Sequence, residues 1–361
     1  MEIILSLLEK KPNLGIIIAL FFFLVLIPHI TIAQLSPEDS LITEKFELKN
    51  YQYVKGTMDY RFFTPEVTSP TEKYPLVLTL HGAGDDKTNW AQIRKQPLAY
   101  VWARDSNQQK HPCFIVSPRK KFSGRWVNRH WKFGSYSLDS TPISEGLKSV
   151  MEILDFVVKN YPIDTNRIYL TGLSMGGFGT WDLAMRYPDK FAAIGAMAGS
   201  ADPTKAMLLK DLPIWTTHGT ADKAIPVKGS RDIVYALEDI GKKTLYTHCN
   251  RSKDCTGLSD SAIVKGLDTA TLIYSEYDKA GHVAAWRDEG KGYDNPLFVG
   301  WMFKQQRNKL TGVKAKRLLK RKASFPFVKN GKLLFYGMDK KSTNYYGVNG
   351  KIFVNEIEIN R

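Results

Sequence analysis

From Pro75 onward, short uninterrupted apolar runs alternate with longer stretches in which apolar residues recur every three or four positions. The runs read as strands buried on both faces, and the periodic stretches as helices packed on a sheet through one stripe. "PLVLTL" (75–80) and "CFIVSP" (113–118) are of the first kind, and Ser144 to Tyr161 is of the second. A strand "RIYLTG" (167–172) and a helix from Met175 to Tyr187 follow. Then come strands "FAAIGAMAG" (191–199) and "LPIWTTHG" (212–219), a helix over 228–240, and a last strand "ATLIYSEY" (270–277). This alternation predicts an α/β fold with a mostly parallel, doubly wound sheet. Ahead of the series, "EKFELKNYQY" and "DYRFFTP" predict an antiparallel hairpin at one edge.

Two segments leave the pattern. Residues 246–269 form a polar stretch longer than a usual connection, and it reads as a surface insertion that roofs the site. The second begins after residue 308: a basic linker, "KAKRLLKRK", then two apolar stretches each divided by Asn-Gly, "FPFVKNGKLLFY" and "YYGVNGKIFVNEIEI". Both residues of Asn-Gly tolerate positive φ, so the pair predicts hairpins. The expected organisation is a leader over 1–33, a catalytic domain over 34–308, and a small β appendage over 309–361. So short an appendage has too little core to stand alone, so it packs on the main domain or binds something.

Composition narrows the class. Of 361 residues, 43% are hydrophobic and 12% aromatic, which excludes a disordered chain. The net charge is +15, and Lys304 to Arg361 carries 15 Lys and Arg against three Asp and Glu, so the basic character belongs to the tail. Such a tail suits an anionic surface or polymer, or is a solvated face. Lys10 and Lys11 precede an apolar run from Leu14 to Ile27, broken by Pro28 and followed by Thr31, Ile32, Ala33 and Gln34, with small residues at the positions a signal peptidase reads. The run is shorter than the ~20 residues of a spanning helix, which predicts a secretory signal peptide cut after Ala33, the alternative being an uncleaved anchor. Either way the remainder is expected to be exported, and nucleic acid is not an expected partner. Of three cysteines, Cys113 reads as a buried strand thiol, whereas Cys249 and Cys255 in "HCNRSKDC" are placed to close a loop in an oxidising compartment. That pair supplies too few ligands for zinc, so no metal and no other cofactor is expected.

The candidate chemistry lies in "GLSMG" (172–176). A serine becomes a nucleophile when it is exposed, faced by a base, and supplied with donors for the developing oxyanion. A turn between strand and helix, with glycines two positions either side, sets Ser174 at its apex. His282, in "DKAGHVAAW", follows the last strand, and Asp222, in "HGTADKAIPV", follows the strand before it. All three leave the carboxyl edge of the sheet, where open α/β sheets place their sites. Asp202 and Asp278 compete with Asp222 for the acid role. His81 and His218 occupy strand-end turns and are expected to bond backbone. Oxyanion donors are expected from the amides of Met175 and Ala83, with Gly82 or Gly84 as neighbouring registers in "LHGAGDD". Trp126 and Trp131, in "FSGRWVNRHWKFGSY", are candidate stacking platforms for a sugar or aromatic acyl group, with Arg125 and Arg129 able to meet a carboxylate.

The blocks "LTLHGAGDD", "RIYLTGLSMGGFGTWDLAMRYPDKFAAIGAMAG", "HGTADKAIPV" and "YSEYDKAGHVAAWRDE" resemble the esterase and peptidase branch of the α/β-hydrolases near feruloyl esterases, acetyl xylan esterases and polyhydroxybutyrate depolymerases. The resemblance spans roughly residues 45–307. It implies an α/β-hydrolase fold and a serine carboxylesterase that uses Ser174, His282 and Asp222 on acyl or feruloyl esters, with a polysaccharide-linked ester as the expected substrate. A serine peptidase with the same triad, and a surface-binding protein that keeps a hydrolase shell, are the alternatives. The 246–269 stretch and the tail beyond 309 have no counterpart in the family pattern.

Overall fold

A computed structural model describes residues 36–307 apart from 67–68, 70, 85–89, 121–123 and 249–257, together with two short strands beyond residue 326. The expected leader, the Cys249 and Cys255 pair, and most of the basic tail lie outside the described residues. Among the described residues, no helix is long and apolar enough to cross a membrane.

Nine strands form one sheet: β1 (Glu47–Tyr53), β2 (Gly56–Phe63), β3 (Tyr74–Leu80), β4 (Phe114–Pro118), β5 (Ile163–Leu173), β6 (Ala193–Met197), β7 (Ile214–Gly219), β8 (Thr244–Tyr246) and β9 (Leu272–Tyr277). Their order is β1-β2-β4-β3-β5-β6-β7-β9-β8. β1 and β2 form the expected edge hairpin, β2 runs antiparallel to β4, and every later pairing is parallel. This is the α/β-hydrolase arrangement. The helices of eight residues or more in this body are α1 (Pro37–Glu44), α2 (Glu145–Asn160), α3 (Met175–Arg186), α4 (Lys228–Asp239), α5 (Asp260–Leu267) and α6 (Pro296–Lys304).

The apolar runs are continuous because successive side chains enter opposite cores. Leu76, Leu78 and Leu80 of β3 join the core under α2 and α3, whereas Val77 joins the one under α6. Ile214 and Trp215 of β7, and Leu272 and Ile273 of β9, divide the same way. α2 contributes Leu147, Val150, Leu154 and Val157 to the first core, one helical stripe, and Ser144 caps its start by accepting the Leu147 amide.

Residues 246–269 are organised differently from the expected insertion. Thr244–Tyr246 pairs parallel to β9 as the ninth, edge strand of the sheet, and α5 sends Ile263 and Leu267 into the core under α6. The described residues on either side of 249–257 therefore belong to a strand-helix-strand crossover that extends the sheet. A three-residue strand carries no periodic signal, which is why the pattern hides it. Beyond the main body, β10 (Phe327–Lys329) and β11 (Lys332–Leu334) pair antiparallel around the first Asn-Gly of the tail.

Candidate active site

Ser174 joins β5 to α3 with φ 54° and ψ −119°, a conformation that costs a non-glycine residue roughly 1–3 kcal/mol. The surrounding backbone holds it there. The Ser174 amide donates to the Met197 carbonyl at 2.8 Å, tying the turn to the end of β6. A Cβ on Gly172 would lie 2.3 Å from the Gly176 carbonyl oxygen, and one on Gly176 would lie 1.8 Å from that of Leu80. Only glycines let the chain cross itself this closely. A serine at this position ordinarily caps the helix with its side chain, and this one does not. Its Oγ instead lies 2.8 Å from His282 Nε2.

The same close approach sets the first turn of α3 on the end of β3. The loop that carries Gly82, Ala83 and Gly84 therefore starts beside Met175. His81 fixes that loop from below: its Nδ1 donates to the Gly82 carbonyl at 2.7 Å, and its Nε2 accepts the Lys120 amide at 3.0 Å. As expected from its turn position, His81 bonds backbone. Lys95 donates to the Gly84 carbonyl at 2.6 Å, and Ala83 at the tip is exposed.

Asp222 and His282 stand on two loops fastened together. The Thr220 amide donates to the Tyr277 carbonyl at 3.0 Å, the Ala221 amide to Ala280 at 3.0 Å, and the Lys279 amide to Thr220 Oγ1 at 2.7 Å. His282 Nδ1 then lies 2.6 Å from Asp222 Oδ2. The other carboxylate oxygen accepts the amides of Ala224 and Ile225 at 2.8 and 2.9 Å. Burial alone would raise this carboxyl, but hydrogen bonds from His218, His282 and the Ile225 amide outweigh it and hold the group well below the usual carboxylate range. An ionised Asp222 only accepts, so the imidazole hydrogen is on Nδ1 and Nε2 is free to accept from the Ser174 hydroxyl. Trp286 meets the His282 ring edge-on, with centroids 4.7 Å apart and planes at 89°.

The rival acids stand elsewhere. Asp202 caps the turn after β6, accepting the Thr204 amide and hydroxyl at 3.0 and 2.6 Å and the Leu138 amide at 2.7 Å. Asp278 accepts from Thr220 Oγ1 at 3.2 Å. Trp126 corrects the expectation of a stacking platform. Its ring is fully buried, and its indole N–H donates to the His81 carbonyl at 2.9 Å, so no ligand ring can lie on it. It supports the Ala83 loop. Trp131 is half-buried, with the Arg125 guanidinium 5.4 Å above its ring, and Arg129 covers the 67% exposed Phe133. Arg129 also lines an open groove of about 430 Å³, together with Ser137, Ser140, Thr141, Asp202 and Thr204, among others.

Sequence reasoning passed over two side chains. Trp286 lies four residues past His282, one helical turn away, which is the signal that could have found it. His218, four residues before Asp222, bonds a backbone carbonyl as expected but also reaches Asp222 itself: Nε2 is 3.1 Å from the Ile225 carbonyl and 3.2 Å from Asp222 Oδ2. Among the described residues, no group of three or more His, Cys, Asp or Glu side chains is placed to hold a metal ion.

Residues 52–288 match the sequence model of a family described as "Putative esterase". The chain is 26% identical over 210 residues to the bifunctional acetylxylan esterase/xylanase XynS20E of Neocallimastix patriciarum, covering 55% of this chain and 28% of that protein. It is 37% identical over 153 residues to feruloyl esterase B of Talaromyces funiculosus, covering 42% of this chain and 39% of that one. The matched segments thus span well under half the length of these relatives. Among solved structures, a thermostable esterase superposes with a TM-score of 0.60 at 31% identity, over 74% of this chain and 64% of its own.

Proposed function

Since the chain belongs to this esterase family, we propose that it is a serine carboxylesterase that works through Ser174, His282 and Asp222. One observation carries the reading: the unbroken line from Asp222 Oδ2 to His282 Nδ1 at 2.6 Å and from His282 Nε2 to Ser174 Oγ at 2.8 Å, with the serine on a strained turn. Ser174 Oγ attacks the ester carbonyl carbon while its proton moves to His282 Nε2. The amides of Met175 and Ala83 receive the oxyanion, aided by the positive end of α3. Collapse breaks the bond to the leaving alkoxide, which takes the proton from His282. Water, deprotonated by the same imidazole, then cleaves the acyl-serine to release the acid and restore the hydroxyl. Asp222 orients the ring and stabilises its charge throughout. No cofactor enters this route.

The substrate we infer is an acyl or feruloyl ester on a polysaccharide. The matched relatives include an acetylxylan esterase and a feruloyl esterase by name, and the hydroxyl-rich groove lined in part by Arg129 offers hydrogen-bonding partners to sugar. The signal-like residues 1–33 support export, and the basic tail supports contact with an anionic surface or polymer. Turnover of p-nitrophenyl acetate, methyl ferulate and a peptide amide tests the reaction class. Both esters are expected to be cleaved, and cleavage of the amide alone would establish the peptidase reading instead.

A further inference from the structure

The Asp222 oxygen that orients His282 has a second imidazole on it. His218 ends β7 with its side chain fully buried, and its Nε2 sits between two acceptors, Asp222 Oδ2 at 3.2 Å and the Ile225 carbonyl at 3.1 Å. Neither acceptor has a hydrogen to give, so the hydrogen in that cleft is carried by Nε2. On the far side, Nδ1 lies 2.7 Å from Ser230 Oγ on α4, and that oxygen lies 2.8 Å from the Gly199 carbonyl, so the one hydroxyl hydrogen is shared between the two acceptors. Gly199 in turn packs on Gly177 in the first turn of α3, where a Cβ on Gly199 would lie 2.5 Å from the Gly177 carbonyl carbon. One ring thus connects the acid loop, α4, and the backbone against which the Ser174 turn is set.

We propose that His218 is a positioning residue for the ester hydrolysis inferred above. Through its Nε2–H it holds Asp222 Oδ2 in the rotamer that faces His282, and it keeps that carboxylate an acceptor. Asp222 receives four donors on two oxygens, two amides on Oδ1 and two imidazoles on Oδ2. Removing His218 leaves Oδ2 with His282 alone. The two amides still hold Oδ1, but the Oδ2 side of the carboxylate is then less restrained, and the His282 ring shifts with it. A misdirected ring takes the serine proton poorly but does not change how substrate is bound, so the loss falls on kcat.

The inference rests on the reading of Ser174, His282 and Asp222 as the catalytic line, and Ser174→Ala is therefore measured in parallel. The test compares His218→Gln, His218→Asn and His218→Leu in the full chain on p-nitrophenyl acetate. The glutamine amide reaches the Nε2 position and restores a donor to Asp222. The asparagine amide reaches only the Nδ1 position, toward Ser230. Losing a hydrogen bond to a charged group predicts that the Asn and Leu variants fall about 10- to 100-fold in kcat with KM within about twofold, while the Gln variant stays within about threefold of the wild type. Should the Leu variant fail to fold, the Gln and Asn pair still decides, because both are polar and differ only in which site they reach. Equal kcat for the Gln and Asn variants, or a loss confined to KM, overturns the role of His218. Turnover retained by Ser174→Ala overturns the catalytic line itself, a different failure with a different readout.

Discussion

At the scale of single residues, the proposed site depends on which partner each polar atom is left to meet. Ser174 is relieved of capping, so its hydroxyl serves His282. Replacing it with alanine is expected to lower kcat by at least about 10³-fold, read from initial rates on p-nitrophenyl acetate, with the fold retained. Asp222 has a depressed folded pKa, so its contribution to stability is full above the unfolded value of about 3.9 and is lost as pH falls through the folded value. Urea midpoints of the wild type and Asp222→Asn should therefore converge from about pH 4 downward. A gap that stays constant at acid pH would contradict this. The meeting of Ser174, Asp222 and His282 at one edge was legible because spacing relative to strand ends fixes which edge a residue leaves. The orientation of Trp126 was not legible, since side-chain direction in an irregular loop has no period to betray it. Two substitutions separate the tryptophans. Trp126→Phe removes the bond to the His81 carbonyl and should cost about 1 kcal/mol of stability with KM unchanged, whereas Trp131→Ala should raise KM for methyl ferulate several-fold.

At the scale of elements, the strand-turn-helix unit is the part on which the rest depends. Gly176 sits against the Leu80 carbonyl, so Gly176→Ala must separate α3 from β3 and with it the serine turn from the Ala83 loop. The expected cost is about 3 kcal/mol, the upper end for overpacking, seen as a lower urea midpoint together with reduced kcat. An unchanged midpoint would show that the crossing is looser than described. β3, β4, β6, β7 and β9 were legible as apolar runs because both their faces are covered, and α2 and α4 by their stripes. β8 was not, because three half-buried residues at an edge carry neither alternation nor a run. The start of β5 at Ile163 was masked likewise, since "DTN" is polar and partly exposed where the strand leaves the core.

At the scale of the whole molecule, the basic tail and the proposed site are separated along the chain. The main body carries the site, and the basic residues concentrate after Lys304. If the tail holds the protein to an anionic polymer, a chain ending at Asn308 should keep its rate on p-nitrophenyl acetate and lose rate on the polymer. The full chain should show the same loss as salt is raised past about 0.15 M, where surface charges are screened within ~8 Å. Equal polymer rates for both chains would remove the tail from the account. The central claim, that one serine accepts the acyl group, is tested most directly by quenching the protein during turnover of p-nitrophenyl acetate and weighing it intact. The account predicts one acetyl group per chain, mapped to Ser174 and absent from Ser174→Ala. An acetyl group on another residue, or steady turnover in Ser174→Ala, would contradict it.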